Sequence, residues 1–89
     1  MALVIAEFGS YVVGPGGIAF RARACALPTR RGLWEGWIEF DPTDGAPTFR
    51  SPKQTTQANR SAVVNWATML TPTNLECALG GALSRIGRA

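Results

Sequence analysis

Eighty-nine residues, 46% of them apolar and 17% charged, with nine basic against six acidic side chains and no histidine, set narrow limits. That length suits one domain, its apolar content is enough for a core, and so little charge argues against disorder. Without histidine there is no Cys–His nucleophile, Ser–His triad or His-ligated metal site, and the net charge of +3 comes without any block of like sign.

A domain of this size buries roughly 60% of its unfolded surface, so its stability margin is thin and association with a partner would help it. The apolar opening, residues 1–6, is short, lacks a basic flank and runs into Glu7, unlike a signal peptide or a membrane span. The expectation is a soluble, cytoplasmic protein with no membrane contact. Cys25 and Cys77 are too few and too far apart for a disulfide framework and read as reduced, buried thiols.

In chain order, residues 3–13 read as strand, rich in β-branched and aromatic side chains, with a break at Gly9-Ser10. Gly14-Pro15-Gly16-Gly17 is a turn, since glycine supplies positive φ and proline cannot continue a central strand. It joins strands and opens no helix, so it is not a dinucleotide-binding loop. Residues 18–27 follow, with Phe20, Ala22, Ala24 and Ala26 on one face and Ala19, Arg21, Arg23, Cys25 and Leu27 on the other. After the connection 28–32, residues 33–40 alternate again. Trp34, Gly36, Ile38 and Phe40 point to a core, while Leu33, Glu35, Trp37 and Glu39 point to water. A register with Leu27 opposite Leu33 sets Phe20 against Phe40, Ala26 against Trp34, Arg21 against Glu39 and Arg23 against Trp37, pairing small with large and charge with charge.

Asp41-Pro42-Thr43-Asp44-Gly45 has turn chemistry, and a short strand over 48–51 between Pro47 and Pro52 reads as a sheet edge. The second half is helical. Val63, Trp66, Ala67 and Leu70 recur at helical spacing over 59–70, with Asn59 as N-cap. A second helix over 73–86 carries Leu75, Leu79, Ala82, Leu83 and Ile86, and Gly87 stops it. Its start is either a capping box of Thr73 with Glu76, or Thr71 as cap with Pro72 at the first helical position. The adjacent Gly80-Gly81 inside it predicts close approach by another backbone. These elements make an α+β domain over 1–89, a four-stranded antiparallel meander within 2–51 with both helices packed on one face.

Two surfaces are candidates for function. Trp37 on the open sheet face, with Arg21, Arg23, Glu35 and Glu39 around it, has the make-up of an interface anchor, although a lone tryptophan shielded by arginine stems would look the same. The alternative is nucleic-acid or phosphate binding by the polar stretch 50–60. There Arg50, Lys53 and Arg60 supply charge and Thr55, Thr56 and Gln57 supply hydrogen-bonding groups, although helix capping explains several of these residue types. Arg30-Arg31 and Arg85 with Arg88 have no interleaved aromatics, and the latter pair complements the end of the last helix. Glu35 and Glu39 stand roughly 13 Å apart along a strand, too far for a carboxylate dyad. No catalytic residue, cofactor or metal is expected. The reading is a non-enzymatic, self-associating interaction module, most simply a homodimer through the open face or an edge strand.

The run Trp34-x-Gly36-Trp37-Ile38-Glu39-Phe40, then Thr55-Thr56-Gln57, then Trp66-Ala67-x-x-Leu70-Thr71, resembles small bacterial proteins of uncharacterised function over the last two-thirds of the chain. The resemblance implies no site and no activity.

Overall fold

The computed structural model describes the backbone of residues 2–86 and the side chains of residues 2–84. Gly87, Arg88 and the side chains of Arg85 and Ile86 lie outside that range. The first apolar run divides at Gly9-Ser10 into β1 (Leu3–Glu7) and β2 (Val12–Val13), and both pair antiparallel with β3 (Ala19–Pro28). β4 (Trp34–Pro42) pairs with the other side of β3. Two short strands, β5 (Phe49–Arg50) and β6 (Thr55–Gln57), share the outer side of β4. The strand order β1-β3-β4-β5, followed by α1 (Arg60–Thr68) and α2 (Pro72–Ile86), is the α+β antiparallel sheet with two C-terminal helices.

The register differs from the expected one by two residues. Arg23 lies opposite Glu39, Cys25 opposite Trp37, Arg21 opposite Asp41 and Ala26 opposite Gly36. The cause is the loop. Gly32 adopts φ +76°, its N–H bonds the Thr29 carbonyl at 3.1 Å, and the Thr29 N–H bonds the Leu33 carbonyl at 2.7 Å. This is a three-residue hairpin loop, Arg30-Arg31-Gly32, with glycine in the left-handed position that L side chains avoid. It centres the hairpin on Arg31, where a five-residue loop over 28–32 would centre it on Arg30. Because the shift is even, each side chain keeps its face. β4 also runs on through Asp41 and Pro42, which composition alone assigned to the turn.

The stretch 50–60, read as a loop, contains β6. Between β5 and β6 the chain bulges at Pro52-Lys53, and Ser51 repairs the ladder. The Ile38 N–H donates to Ser51 Oγ at 3.0 Å, and the Ser51 N–H donates to the Ile38 carbonyl at 2.9 Å. Ser51 is fully buried, so its hydroxyl stands where a strand carbonyl would otherwise satisfy that N–H.

Helical periodicity then closes one face of the sheet. Asn59 caps α1 by accepting the Ala62 N–H at 2.8 Å. α2 starts by the second of its two expected routes: Thr71 Oγ1 accepts the Asn74 N–H at 3.1 Å and Asn74 Oδ1 accepts the Thr71 N–H at 2.9 Å, with Pro72 at the first helical position. Phe20, Ala22, Ile38 and Phe40 from the sheet meet Leu75, Ala78, Leu79 and Ala82 of α2, with Phe8, Phe49, Trp66, Leu70 and Leu83 packed around them. The alanines on β3 leave room for the larger side chains of β4 and the helices. Phe20 and Phe40 meet edge to face at 6.4 Å between centroids.

The two helical glycines have different surroundings. A Cβ at Gly81 would stand 3.3 Å from Cδ of the Pro52 ring, so the close neighbour there is a proline side chain and not a backbone. At Gly80 a Cβ would meet nothing within 4 Å. Gly80→Ala is therefore expected to stabilise the protein by about 0.5–1 kcal/mol through lower unfolded-state entropy, read as a higher urea midpoint. Gly81→Ala should gain less, or nothing.

Candidate functional site

The odd-numbered residues of β3 and β4 form the sheet face turned away from the helices. Trp37 sits there, as its strand parity requires, yet it is only 2% exposed, so the expectation that it looks into water is corrected. Its cover comes from this same chain. The Arg50 guanidinium, carried by β5, lies 3.9 Å above the indole centroid, and the indole N–H donates to Glu39 Oε2 at 3.1 Å. A cation over a desolvated indole face is attractive, and the arginine stem adds apolar cover.

Around this pair runs a chain of charges. Arg23 donates to Glu39 Oε1 through Nε at 3.2 Å and Nη2 at 2.9 Å, and its Nη1 bonds Asp41, which also accepts from Thr48. The Thr48 hydroxyl foremost, with Arg23 beside it, holds the Asp41 carboxyl below its ordinary value against the opposing effect of burial. For Arg23, burial acts to lower the pKa, but the bonds and charges of Asp41 and Glu39 together raise it. Cys25, directly opposite Trp37, is buried, and burial foremost, with the charge of Glu39, pushes its thiol up to about 11. So placed, it is held in the protonated form at neutral pH, the form that is the poorer nucleophile.

Of the five residues expected at an interface, Arg23, Trp37 and Glu39 are brought together in this network. Arg21 stands at one end, donating to the Tyr11 hydroxyl at 3.0 Å with its guanidinium 5.2 Å from the Tyr11 ring centroid. Glu35 stands at the other, 3.9 Å from Lys53 Nζ. Asp41, Thr48, Arg50 and Tyr11 belong to the same surface; of these only Arg50 is a sequence candidate, and for the alternative ligand stretch instead of the interface. Composition places Asp41 in a turn, Thr48 in the edge strand and Arg50 in the polar stretch, and Tyr11 in the strand segment just after the break at Gly9-Ser10.

The alternative ligand stretch is dispersed. Arg50 lies on Trp37, Lys53 is directed at Glu35, and Gln57 Nε2 bonds Thr55 Oγ1 at 2.6 Å within β6. Thr56 and Arg60 are exposed.

One margin of the sheet exposes a run of apolar side chains, with Val4 on the open face opposite Cys25 and Leu3 on the helical side opposite Ala26. Leu3, Val4, Tyr11, Val13 and Ile18 are five of the seven large apolar side chains that stand exposed among the described residues, Val4 at 54% and Val13 at 64%. Leu3 and Val4 lie in β1, Val13 lies in β2, Tyr11 directly precedes β2 and Ile18 follows the turn after it. Beside them is an open hollow of about 440 Å³ whose rim includes Val4, Glu7, Arg23 and Glu39. β1 ends the sheet on this side, and its bulge between Val4 and Ala6 bends that edge. The opposite edge is made of two short strands with Pro47, Pro52 and Lys53 about them, devices that discourage further pairing.

Among the described residues no helix is long and apolar enough to cross a membrane, and no three His, Cys, Asp or Glu side chains group to hold a metal ion. The chain matches no family model, no curated protein and no solved structure.

Proposed function

We propose that this chain is a non-catalytic interaction module that pairs with a second copy of itself through the β1–β2 margin and the adjoining open face. The observation that carries the reading is the contrast between its two sheet edges. One is short, proline-flanked and lysine-bearing. The other offers Val4, Tyr11, Val13 and Ile18 to water, and its longer strand, β1, has no proline or lysine within it or beside it. An edge of that kind is a template for another strand, and a two-fold axis through it would extend one sheet across both copies. The β1 bulge limits the length of any ladder, so side-chain burial by Val4, Tyr11 and Val13 carries most of the association. Arg23 and Glu39 form the polar rim, Trp37 lies beneath as support, and Arg21 is placed by Tyr11.

Phosphate or nucleic-acid binding by Arg50, Lys53, Thr55, Thr56, Gln57 and Arg60 ranks behind it, because Arg50 and Lys53 are already engaged with Trp37 and Glu35. Steeply salt-dependent binding to mixed nucleic acid would restore that reading.

Light scattering tests the dimer. The wild type should show about twice the 9.5 kDa chain mass, and Val4→Lys with Val13→Lys should bring it to the single-chain value with an unchanged circular dichroism spectrum. A wild type that stays at 9.5 kDa in millimolar solution contradicts the proposal.

A further inference from the structure

On the helical side of the sheet, away from the proposed dimer margin, a groove of about 540 Å³ opens between β6, α1 and the start of α2. Trp66 and Met69 line it together with four amide side chains, Gln54, Gln57, Asn65 and Asn74, and among the described residues its lining holds no charged side chain. In a chain of net charge +3 that is an uncharged site of concentrated hydrogen-bonding capacity.

Each amide is anchored at one end only. Gln54 Nε2 donates to the Pro52 carbonyl at 3.0 Å, Gln57 Nε2 to Thr55 Oγ1 at 2.6 Å, and Asn65 Nδ2 contacts Met69 Sδ at 3.7 Å. Asn74 does the reverse, its oxygen accepting the Thr71 N–H at 2.9 Å. An amide has both a carbonyl and an NH₂ group. Three carbonyl oxygens and the Asn74 NH₂ are therefore oriented by the fold yet left for something else. The Trp66 indole adds an aromatic wall. Its benzo edge packs over Gly36, where a Cβ would come within 2.7 Å of Cζ3. Its N–H makes no hydrogen bond among the described residues and is not buried.

We infer that this groove binds an uncharged ring molecule bearing several hydroxyl or amide-type groups, the chemistry shared by saccharides and nucleosides. Such a ring lies against the Trp66 indole and donates to the Gln54, Gln57 and Asn65 carbonyls while accepting from Asn74 and the indole N–H. A phosphorylated or carboxylated ligand finds no cation among the described residues that line the groove and has to leave its charge in water. The inference is independent of the dimer proposal and uses residues on another surface.

The groove supplies its own reporters. The side-chain amides of Gln54, Gln57, Asn65 and Asn74 and the Trp66 indole N–H are each visible in a ¹H–¹⁵N correlation spectrum. The exposed Cys77 thiol also lines the groove, whereas Cys25 is buried. Glucose, maltose, adenosine, uridine and glucose 6-phosphate are titrated separately to 20 mM as probes, and iodoacetamide labelling of Cys77 is timed with and without each. Saturable shifts confined to these five side chains, with Cys77 alkylation slowed at least threefold by a sugar or by a nucleoside, are expected and identify which source supplies the ligand. Asn65→Ala, an exposed helical position that tolerates alanine, should weaken that binding about three- to tenfold with an unchanged backbone spectrum. Failure of all the neutral probes to shift these signals, or tighter binding of glucose 6-phosphate than of glucose, overturns the inference.

Discussion

Trp37→Ala is expected to lower folding stability by about 3–5 kcal/mol, the usual cost of truncating a large buried aromatic. The side chain is 2% exposed, and its loss leaves a hole beneath Arg50 and removes the donor that Glu39 Oε2 accepts. A natural domain of 89 residues has roughly 4–13 kcal/mol in total, so the variant should sit close to its folding threshold. Urea unfolding followed by circular dichroism reads the loss as a lower midpoint, and this shift should persist at protein concentrations where any dimer has dissociated. Arg50→Ala removes only the cover, worth about 0.5–2 kcal/mol, and should move tryptophan emission to longer wavelength as the indole meets water. An unchanged urea midpoint in Trp37→Ala would show that the tryptophan does not hold this face together.

The second large effect lies on the other face of the same strand. Gly36→Ala is expected to cost about 1–3 kcal/mol through overpacking, near the upper end of that range. A Cβ there would stand 2.7 Å from Trp66 Cζ3 and 3.0 Å from Thr55 Cγ2, and both neighbours are held, Trp66 within α1 and Thr55 within β6. Glycine at this position lets α1 approach the sheet closely, and the Trp66 ring takes the space a side chain would fill. A double-mutant cycle tests this cause. Trp66→Leu is itself costly, but combined with Gly36→Ala the two losses should fall short of their sum by at least about 0.5 kcal/mol, because the clash is removed once. Strict additivity would place the strain elsewhere.

Strand parity made both of these faces legible in the sequence. The alternation in Trp34-Glu35-Gly36-Trp37-Ile38-Glu39-Phe40 is enough to say which side chains meet the helices, and that assignment survives the two-residue error in register because an even shift preserves faces. The register itself was also within reach. Arg30-Arg31-Gly32 has glycine where a three-residue hairpin loop needs positive φ, and Pro28 drew the loop one residue too early. Local reading could not supply the cover on Trp37. Arg50 reaches it from β5 across the sheet, and periodicity within β4 carries no information about an arginine thirteen residues on. β6 was hidden for a different reason. Thr55-Thr56-Gln57 has no apolar alternation, and what makes it a strand is the free outer side of β4, which is a property of the assembled sheet.

For the site, residue types were readable and geometry was not. Arg23 and Glu39 do meet, at 2.9 Å, but through a register that makes Trp37 the partner of Cys25 and frees Arg21 for Tyr11. The exposed apolar character consequently falls on β1 and β2 instead of on the tryptophan.

Amide hydrogen exchange along Leu3–Glu7 puts the pairing of two copies to its most direct test. Those β1 amides that face away from β3 have no strand partner among the described residues and would gain an acceptor if a second strand docked. Their exchange should slow at least tenfold as protein is raised from micromolar to millimolar, with the amides of β3 and β4 unaffected. Equal, fast exchange of the outward β1 amides across that range would mean that this edge remains open to water and that self-association through it does not occur.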